Sequence, residues 1–188
     1  MVLSITLAQI DTVVGDIDGN AARIIAARKE AHKSDLVVFG ELSLAGYPPE
    51  DLVLKQSFQK RIKDRVKDLA EATLDDGPAL LIGAPWRKDG KLFNAALLLD
   101  KGNITAVRCK HVLPNYGVFD EKRVFAAGPL PAPVDFCGLR LGVMICEDMW
   151  SNDVSAALCN QKADILVVLN GSPFETDKAG TRLSLARD

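Results

Sequence analysis

Four short, largely apolar runs constrain this chain more than any other feature: Leu36–Phe39, Ala79–Ala84, Leu139–Ile145 and Asp164–Leu169. Runs of this length with little polar alternation fit strands covered on both faces, the usual condition inside an α/β protein. Helical patterns separate them. Asp18-Gly19-Asn20 offers N-caps for a helix through about Lys33. Phe58, Ile62, Val66 and Leu69 form one stripe of a helix from Ser57 to Leu74. Ser151–Lys162 and Glu175–Arg187 supply further helices. Phe93–Leu99 and Ile104–Cys109 flank the turn Asp100-Lys101-Gly102-Asn103, and Val134–Phe136 and Leu139–Ile145 flank Cys137-Gly138, so each pair reads as a hairpin. Val2–Ile10 alternates and reads as an opening strand, whereas His111–Gly128 reads as a long loop. Such βα units mixed with hairpins predict a mixed sheet covered by helices, an α/β fold.

Composition narrows the partners. The 188 residues fit one domain, and 48% hydrophobic content suffices for a sizeable core. A net charge of -2 argues against nucleic acid or an anionic membrane surface. No apolar run reaches transmembrane length and no basic leader precedes the first strand pattern, so a cytoplasmic protein is expected. Cys109, Cys137, Cys146 and Cys159 lie far apart without Cys-x-x-Cys spacing and read as reduced thiols.

Leu141–Trp150 carries the most chemistry. Its apolar run ends at Cys146, Glu147 and Asp148 follow, and Ser151-Asn152-Asp153 opens a helix. A strand that turns at once into a helix lifts a nucleophile to the carboxyl end of a sheet. There, free backbone N–H groups favour thiolate and can hold an oxyanion. The ordinary role of such a cysteine is a small buried hydrophobe. Glu41 and Lys110 also stand directly after strand patterns, where α/β sheets gather ligands. Together the three could perform acyl transfer at an amide. Cys146 would attack the carbonyl, Glu41 would take the thiol proton and return one to departing ammonia, and Lys110 would steady the oxyanion. Each also has a plain reading: Glu41 as a solvated or capping acid, Lys110 as an exposed strand-end cation. Spacing alone does not bring them together, and His111 stays open as an alternative base. His111 and Cys109 lack a second ligand pair at zinc spacing, so no metal is expected. Phosphate-binding glycine patterns are absent, and Trp86 and Trp150 read as structural.

At these residues the chain resembles the nitrilase, or carbon–nitrogen hydrolase, superfamily. The blocks Val38-Phe39-Gly40-Glu41-Leu42, Arg108-Cys109-Lys110-His111-Val112-Leu113-Pro114 and Gly142-Val143-Met144-Ile145-Cys146-Glu147-Asp148 match it in the family's order. The resemblance implies a four-layer α-β-β-α sandwich and a Glu41–Lys110–Cys146 triad. Gly46-Tyr47-Pro48-Pro49-Glu50-Asp51-Leu52, the stretch Leu113–Arg123 and Cys146–Trp150 are similar to the glutaminase domain of glutamine-dependent NAD synthetases. This narrower resemblance implies hydrolysis of L-glutamine through a cysteine thioester. Tyr116, Ser172 in Asn170-Gly171-Ser172-Pro173-Phe174, and Lys178 would contact the substrate; hydroxyls and a cation suit an amino acid's polar end. It implies no cofactor or metal for this half-reaction. ATP, Mg²⁺ and deamido-NAD belong to a separate synthetase domain. Gly40 stands where the family usually has proline. Val118 occupies the place of a second glutamate that many relatives carry, which leaves Glu121 as the nearest acid, with a minor role.

The same resemblance implies that residues 1–188 are an incomplete hydrolase domain, because the helical pattern at 175–187 has no following strand. Little turnover is then expected from these residues alone, and an interrupted sandwich favours a homo-oligomer. Alternative readings are a stand-alone amidase or carbamoylase of the same superfamily, or an inactive fragment that only folds and associates.

Overall fold

The computed structural model describes residues 2–173, 175–176 and 178–187. Phe174, in the motif 170–174, and Asp177, in the expected helix 175–187, lie outside the described residues, as do Met1 and Asp188. β1 (Ile5–Leu7), β2 (Leu36–Val38), β3 (Ala79–Lys88), β4 (Lys91–Asp100) and β5 (Asn103–Cys109) pair in chain order to form the first sheet. β1 to β3 are parallel; β4 runs antiparallel to both β3 and β5. β6 (Val134–Phe136), β7 (Leu139–Ile145) and β8 (Ile165–Leu169) form the second sheet, β6 antiparallel and β8 parallel to β7. The helices are α1 (Ile17–Glu30), α2 (Gln56–Glu71), the single turn α3 (Glu121–Val124), α4 (Asn152–Asn160) and α5 (Lys178–Arg187).

Side-chain alternation along the strands builds the layers. Val37, Leu80, Ile82, Leu97 and Leu99 pack with Ile17 and Ile24 of α1 and Phe58, Ile62 and Val66 of α2. Their strand neighbours Leu36, Val38, Leu81, Ala96 and Leu98 face the other way, onto Val143, Ile145, Val167 and Leu169 of the second sheet. Met144, on the far side of that sheet, meets Val154 and Leu158 of α4. The result is the expected α-β-β-α sandwich. The runs read as continuously apolar because both faces of each inner strand are covered.

Some boundaries differ from the sequence reading. β1 is shorter than the alternation over 2–10 predicts: only Ile5–Leu7 pairs with β2, and Val2 and Leu7 face outwards. β3 continues beyond Ala84, through Pro85, to Lys88. β2 pairs only with Ala79, Leu80 and Leu81, so Pro85 lies on a free edge and its missing N–H breaks no ladder. The turn into β4 is Asp89-Gly90, with φ of +49° and +77°, the left-handed pair that a two-residue hairpin requires. Within 111–128, expected as loop, α3 adds one helical turn.

Candidate active site

The first sheet supplies an acid and an amine. After β2 the chain turns at Gly40 and Glu41, pressed against β3. A Cβ on Gly83 would lie 2.3 Å from the Leu42 nitrogen, so only glycine admits this approach. Glu41 is buried there rather than solvated. Lys110 follows β5, and its N–H donates to Asn94 O at 2.8 Å, which fixes the direction of its side chain. Its fully buried Nζ donates to Glu41 Oε1 at 2.7 Å and to Glu121 Oε1 at 2.8 Å. Asn94 Nδ2 donates to Glu41 Oε1 at 2.8 Å and more weakly to Glu121 Oε2 at 3.4 Å. Tyr47 completes the cluster, its hydroxyl donating to Glu121 Oε1 at 3.2 Å.

Two carboxylates thus share one ammonium in a dry site. Burial alone pulls Lys110 down, but Glu41 and Glu121 outweigh it and hold the amine above its ordinary range. Burial pushes Glu121 up, and Lys110 pulls it back only in part. Burial, then the charges of Glu121 and Glu41, raise the Tyr47 hydroxyl, which therefore stays a neutral donor.

The second sheet supplies the sulfur. β7 ends at Ile145, and Cys146 takes φ +46°, a left-handed conformation unusual for a side-chain-bearing residue. This is the sharp corner expected from the sequence. Asp148 braces it, accepting the Ile145 N–H at 3.1 Å and, across the sheets, the His111 and Val112 N–H groups at 3.0 and 2.8 Å. Cys146 is buried beside Glu41 and Gly171. A Cβ on Gly171 would come within 2.6 Å of Glu41 Oε2, so this glycine is what lets the β8 loop close over the acid.

The electrostatics overturn one expectation. Backbone N–H groups at the corner were expected to favour thiolate. Instead burial, and next the charge of Glu41, push the Cys146 thiol up to about 12, against the weaker pull of the Gly171 N–H and Lys110. The resting sulfur is a thiol. Glu41 lies close enough to act on it as an acceptor, yet no hydrogen bond of ordinary length joins them, and Glu41 Oε2 is left without a partner. An unpaired buried carboxylate oxygen beside a buried thiol is an acceptor in waiting. His111, the alternative base, is engaged elsewhere: its Nδ1 lies 2.8 Å from Gly128 O.

A pocket of about 160 Å³ opens on Cys146 and is lined also by Tyr116, Ser172 and Lys178. The expected substrate contacts therefore meet at the sulfur. Tyr116 donates to both oxygens of Glu147 at 3.0 Å; Ser172 Oγ accepts from Arg182 at 2.8 Å; Lys178 reaches Glu175 at 2.8 Å. Trp150, read as structural, is also part of this wall. A larger cavity of about 510 Å³ is lined by Glu41, Phe39, Asn170 and Arg182 among others; it shares Ser172 with the first, but Cys146 is not part of its wall.

The profile of the carbon-nitrogen hydrolase family matches residues 4–187. The chain belongs to the carbon–nitrogen hydrolase family. Among this hydrolase's relatives is a glutamine-dependent NAD(+) synthetase of Rhodobacter capsulatus, 41% identical over 180 residues, covering 95% of this chain and 32% of the relative. Another, from Acinetobacter baylyi, is 38% identical over 181 residues, covering 95% of this chain and 33% of the relative. The hydrolase thus spans about a third of the length of the curated relatives it matches. Among solved structures, the Acinetobacter baumannii glutamine-dependent NAD+ synthetase, in complex with ADP, superposes with a TM-score of 0.90. It is 37% identical and covers 96% of this chain and 34% of its own. An amidase of Nesterenkonia sp. AN1 shares the fold, with a TM-score of 0.82 at 23% identity, covering 98% of this chain and 73% of its own.

Several residues of the hydrolase site escaped the sequence reading. Glu121, given a minor role, is buried against Lys110. Asn94 carried no signal and Tyr47 entered only as part of the matched stretch Gly46–Leu52, because what distinguishes them is contact with Glu41 and Glu121, 27 to 74 positions away. Glu147 follows Cys146 directly, and its place beside a nucleophile in a pocket was a usable hint.

Proposed function

We propose that this chain is a glutamine amidohydrolase unit that supplies ammonia. In a longer protein, an ATP-dependent synthetase domain would use that ammonia to amidate deamido-NAD to NAD. The observation that carries the reading is Glu41, paired with Lys110 and lying beside Cys146, next to a pocket that one acid and one cation, Glu147 and Lys178, help to line. An α-amino acid presents an ammonium and a carboxylate; Glu147 suits the first and Lys178 the second. A side-chain amide would then point towards the sulfur. The names of the relatives support this choice of amide.

The chemistry follows from the proton inventory. Glu41 takes the thiol proton as Cys146 forms a bond to the amide carbon. Lys110 has three N–H donors, two held by Glu41 and Glu121, which leaves one for the oxyanion. The tetrahedral adduct collapses, the C–N bond breaks, and Glu41 returns the proton so that ammonia departs. Water then attacks the thioester, with Glu41 again accepting a proton, and releases glutamate and the thiol. Written this way, the half-reaction balances with these side chains and water alone.

Labelling with a diazoketone analogue of glutamine, read by intact mass, tests the proposal without depending on turnover. We expect one adduct, slowed by glutamine but not by acetamide or an N-carbamoyl amino acid, and lost in Cys146→Ala. No adduct, or an adduct that survives Cys146→Ala, removes the reading.

A further inference from the structure

We infer that Asp148 is a positioning residue that fixes Cys146 relative to Lys110, a role that rests on the triad read above. Asp148 is buried, with 2% of its surface exposed, and its hydrogen bonds all go to backbone. Oδ1 accepts the His111 and Val112 N–H groups at 3.0 and 2.8 Å; Oδ2 accepts the Ile145 N–H at 3.1 Å. His111 immediately follows Lys110, and Ile145 immediately precedes Cys146. One carboxylate therefore grips the chain next to the ammonium and next to the thiol.

Those two stretches end strands of different sheets. Between the sheets lies apolar packing, which sets a spacing but has little directional preference. Hydrogen bonds are directional to within a few tenths of an ångström, and among the described residues no other side chain bonds to both stretches. The left-handed Cys146 must also be held by its surroundings, and the Ile145 bond lies one residue away. The residue type matters. Three donors converge on two acceptor oxygens; an asparagine offers one oxygen and turns an NH₂ group towards an N–H. A glutamate needs room for a further methylene in a closed site.

The test compares wild type with Asp148→Asn and with Arg28→Ala, which cuts the remote Arg28–Asp75 pair and serves as a destabilised control. One readout is the pH profile of Cys146 alkylation by iodoacetamide, which needs no amide substrate. Loosened from its buried place against Glu41, the thiol should titrate lower in Asp148→Asn, shifted towards the ordinary value of about 8.5, whereas wild type and Arg28→Ala keep gaining rate at higher pH. The second readout is labelling by the diazoketone glutamine analogue, which should slow by about 100-fold in Asp148→Asn, as expected for a reacting atom misplaced by about 1 Å. Wild-type profile and labelling rate in a folded Asp148→Asn overturn the inference. If wild type takes no glutamine analogue yet the alkylation profile still shifts, the glutamine reading falls and the positioning role stands. Should Asp148→Asn not fold, hydrogen exchange on the wild-type chain decides. Alkylating Cys146 must then speed exchange at His111 and Val112 by about tenfold or more, and exchange indifferent to alkylation overturns the inference.

Discussion

Lys110→Met removes one charge from the buried cluster while keeping most of the stem's volume. The ammonium is held by Glu41 at 2.7 Å and Glu121 at 2.8 Å, and both carboxylates are shut away from water. Removing one partner of a buried pair costs about 3–5 kcal/mol. Here two carboxylates are left facing one another across Asn94, so the upper end, about 5 kcal/mol, is expected. For a domain of this size each kcal/mol moves the melting midpoint by roughly 2–4 °C, so a fall of about 10–20 °C follows at pH 8. The pH dependence has a definite sign. Burial holds Glu121 above its ordinary range even with Lys110 present, and the variant loses the strongest group pulling it down. A carboxyl with a raised folded pKa binds its proton more tightly when folded. Its stability is fully present below the unfolded pKa and lost as pH rises through the folded one. The deficit of Lys110→Met should therefore shrink as pH falls from 8 towards the free glutamate value of about 4.3. Glu121→Gln added to Lys110→Met should recover part of the loss. Thermal melts across pH 5 to 8 measure this. A deficit below about 1 kcal/mol, the scale of exposed pairs, or one that does not change with pH, refutes the reasoning.

Gly171→Ala would place a Cβ 2.6 Å from Glu41 Oε2 and displace the base. We expect analogue labelling of Cys146 to drop about 100-fold for a stability cost of about 1–3 kcal/mol, checked by mass kinetics and urea unfolding. Cys146→Ala should change the alkaline limb of stability. The thiol is raised from 9.0 to about 12 in the fold, so its contribution is present below the unfolded value and lost as pH rises through the folded one. Wild type should lose stability relative to Cys146→Ala by about 1.4 kcal/mol per pH unit above about 9, and parallel urea titrations at pH 8 and 10.5 that stay parallel contradict this. Glu147→Gln should raise the analogue concentration for half-maximal labelling by about 10–100-fold, the value of a charge-assisted contact, with the saturated rate little changed.

Much of the layering was legible because a strand covered on both faces has to be apolar at every position, as 36–38 and 79–84 are. Two strand ends were legible for the same reason: Glu41 follows the apolar run at 36–39 and Cys146 closes the one at 139–145, whereas Lys110 was placed by the hairpin pattern around Asp100–Asn103. The Asp89-Gly90 turn carried its own signal, a two-residue Asp-Gly, but Pro85 upstream read as a strand end; only the free edge of β3 makes that proline harmless. The chemistry of the sulfur was misjudged because the sequence shows the corner's N–H groups and hides the burial and the carboxylate beside them. Glu121 was undervalued because one turn of helix, too short to leave a periodic trace, aims it at Lys110.

The acid and the amine ride on one slab of the sandwich and the sulfur on the other. The greasy filling between the slabs, Val38, Leu98, Val143 and Ile145 among them, is therefore a shim that sets how far the sulfur stands from the acid and the amine. Trimming a methyl group there would leave a void between the slabs that the two sheets can relax into. Drift in such interior positions can shift the cluster's spacing while Glu41, Lys110 and Cys146 are all preserved.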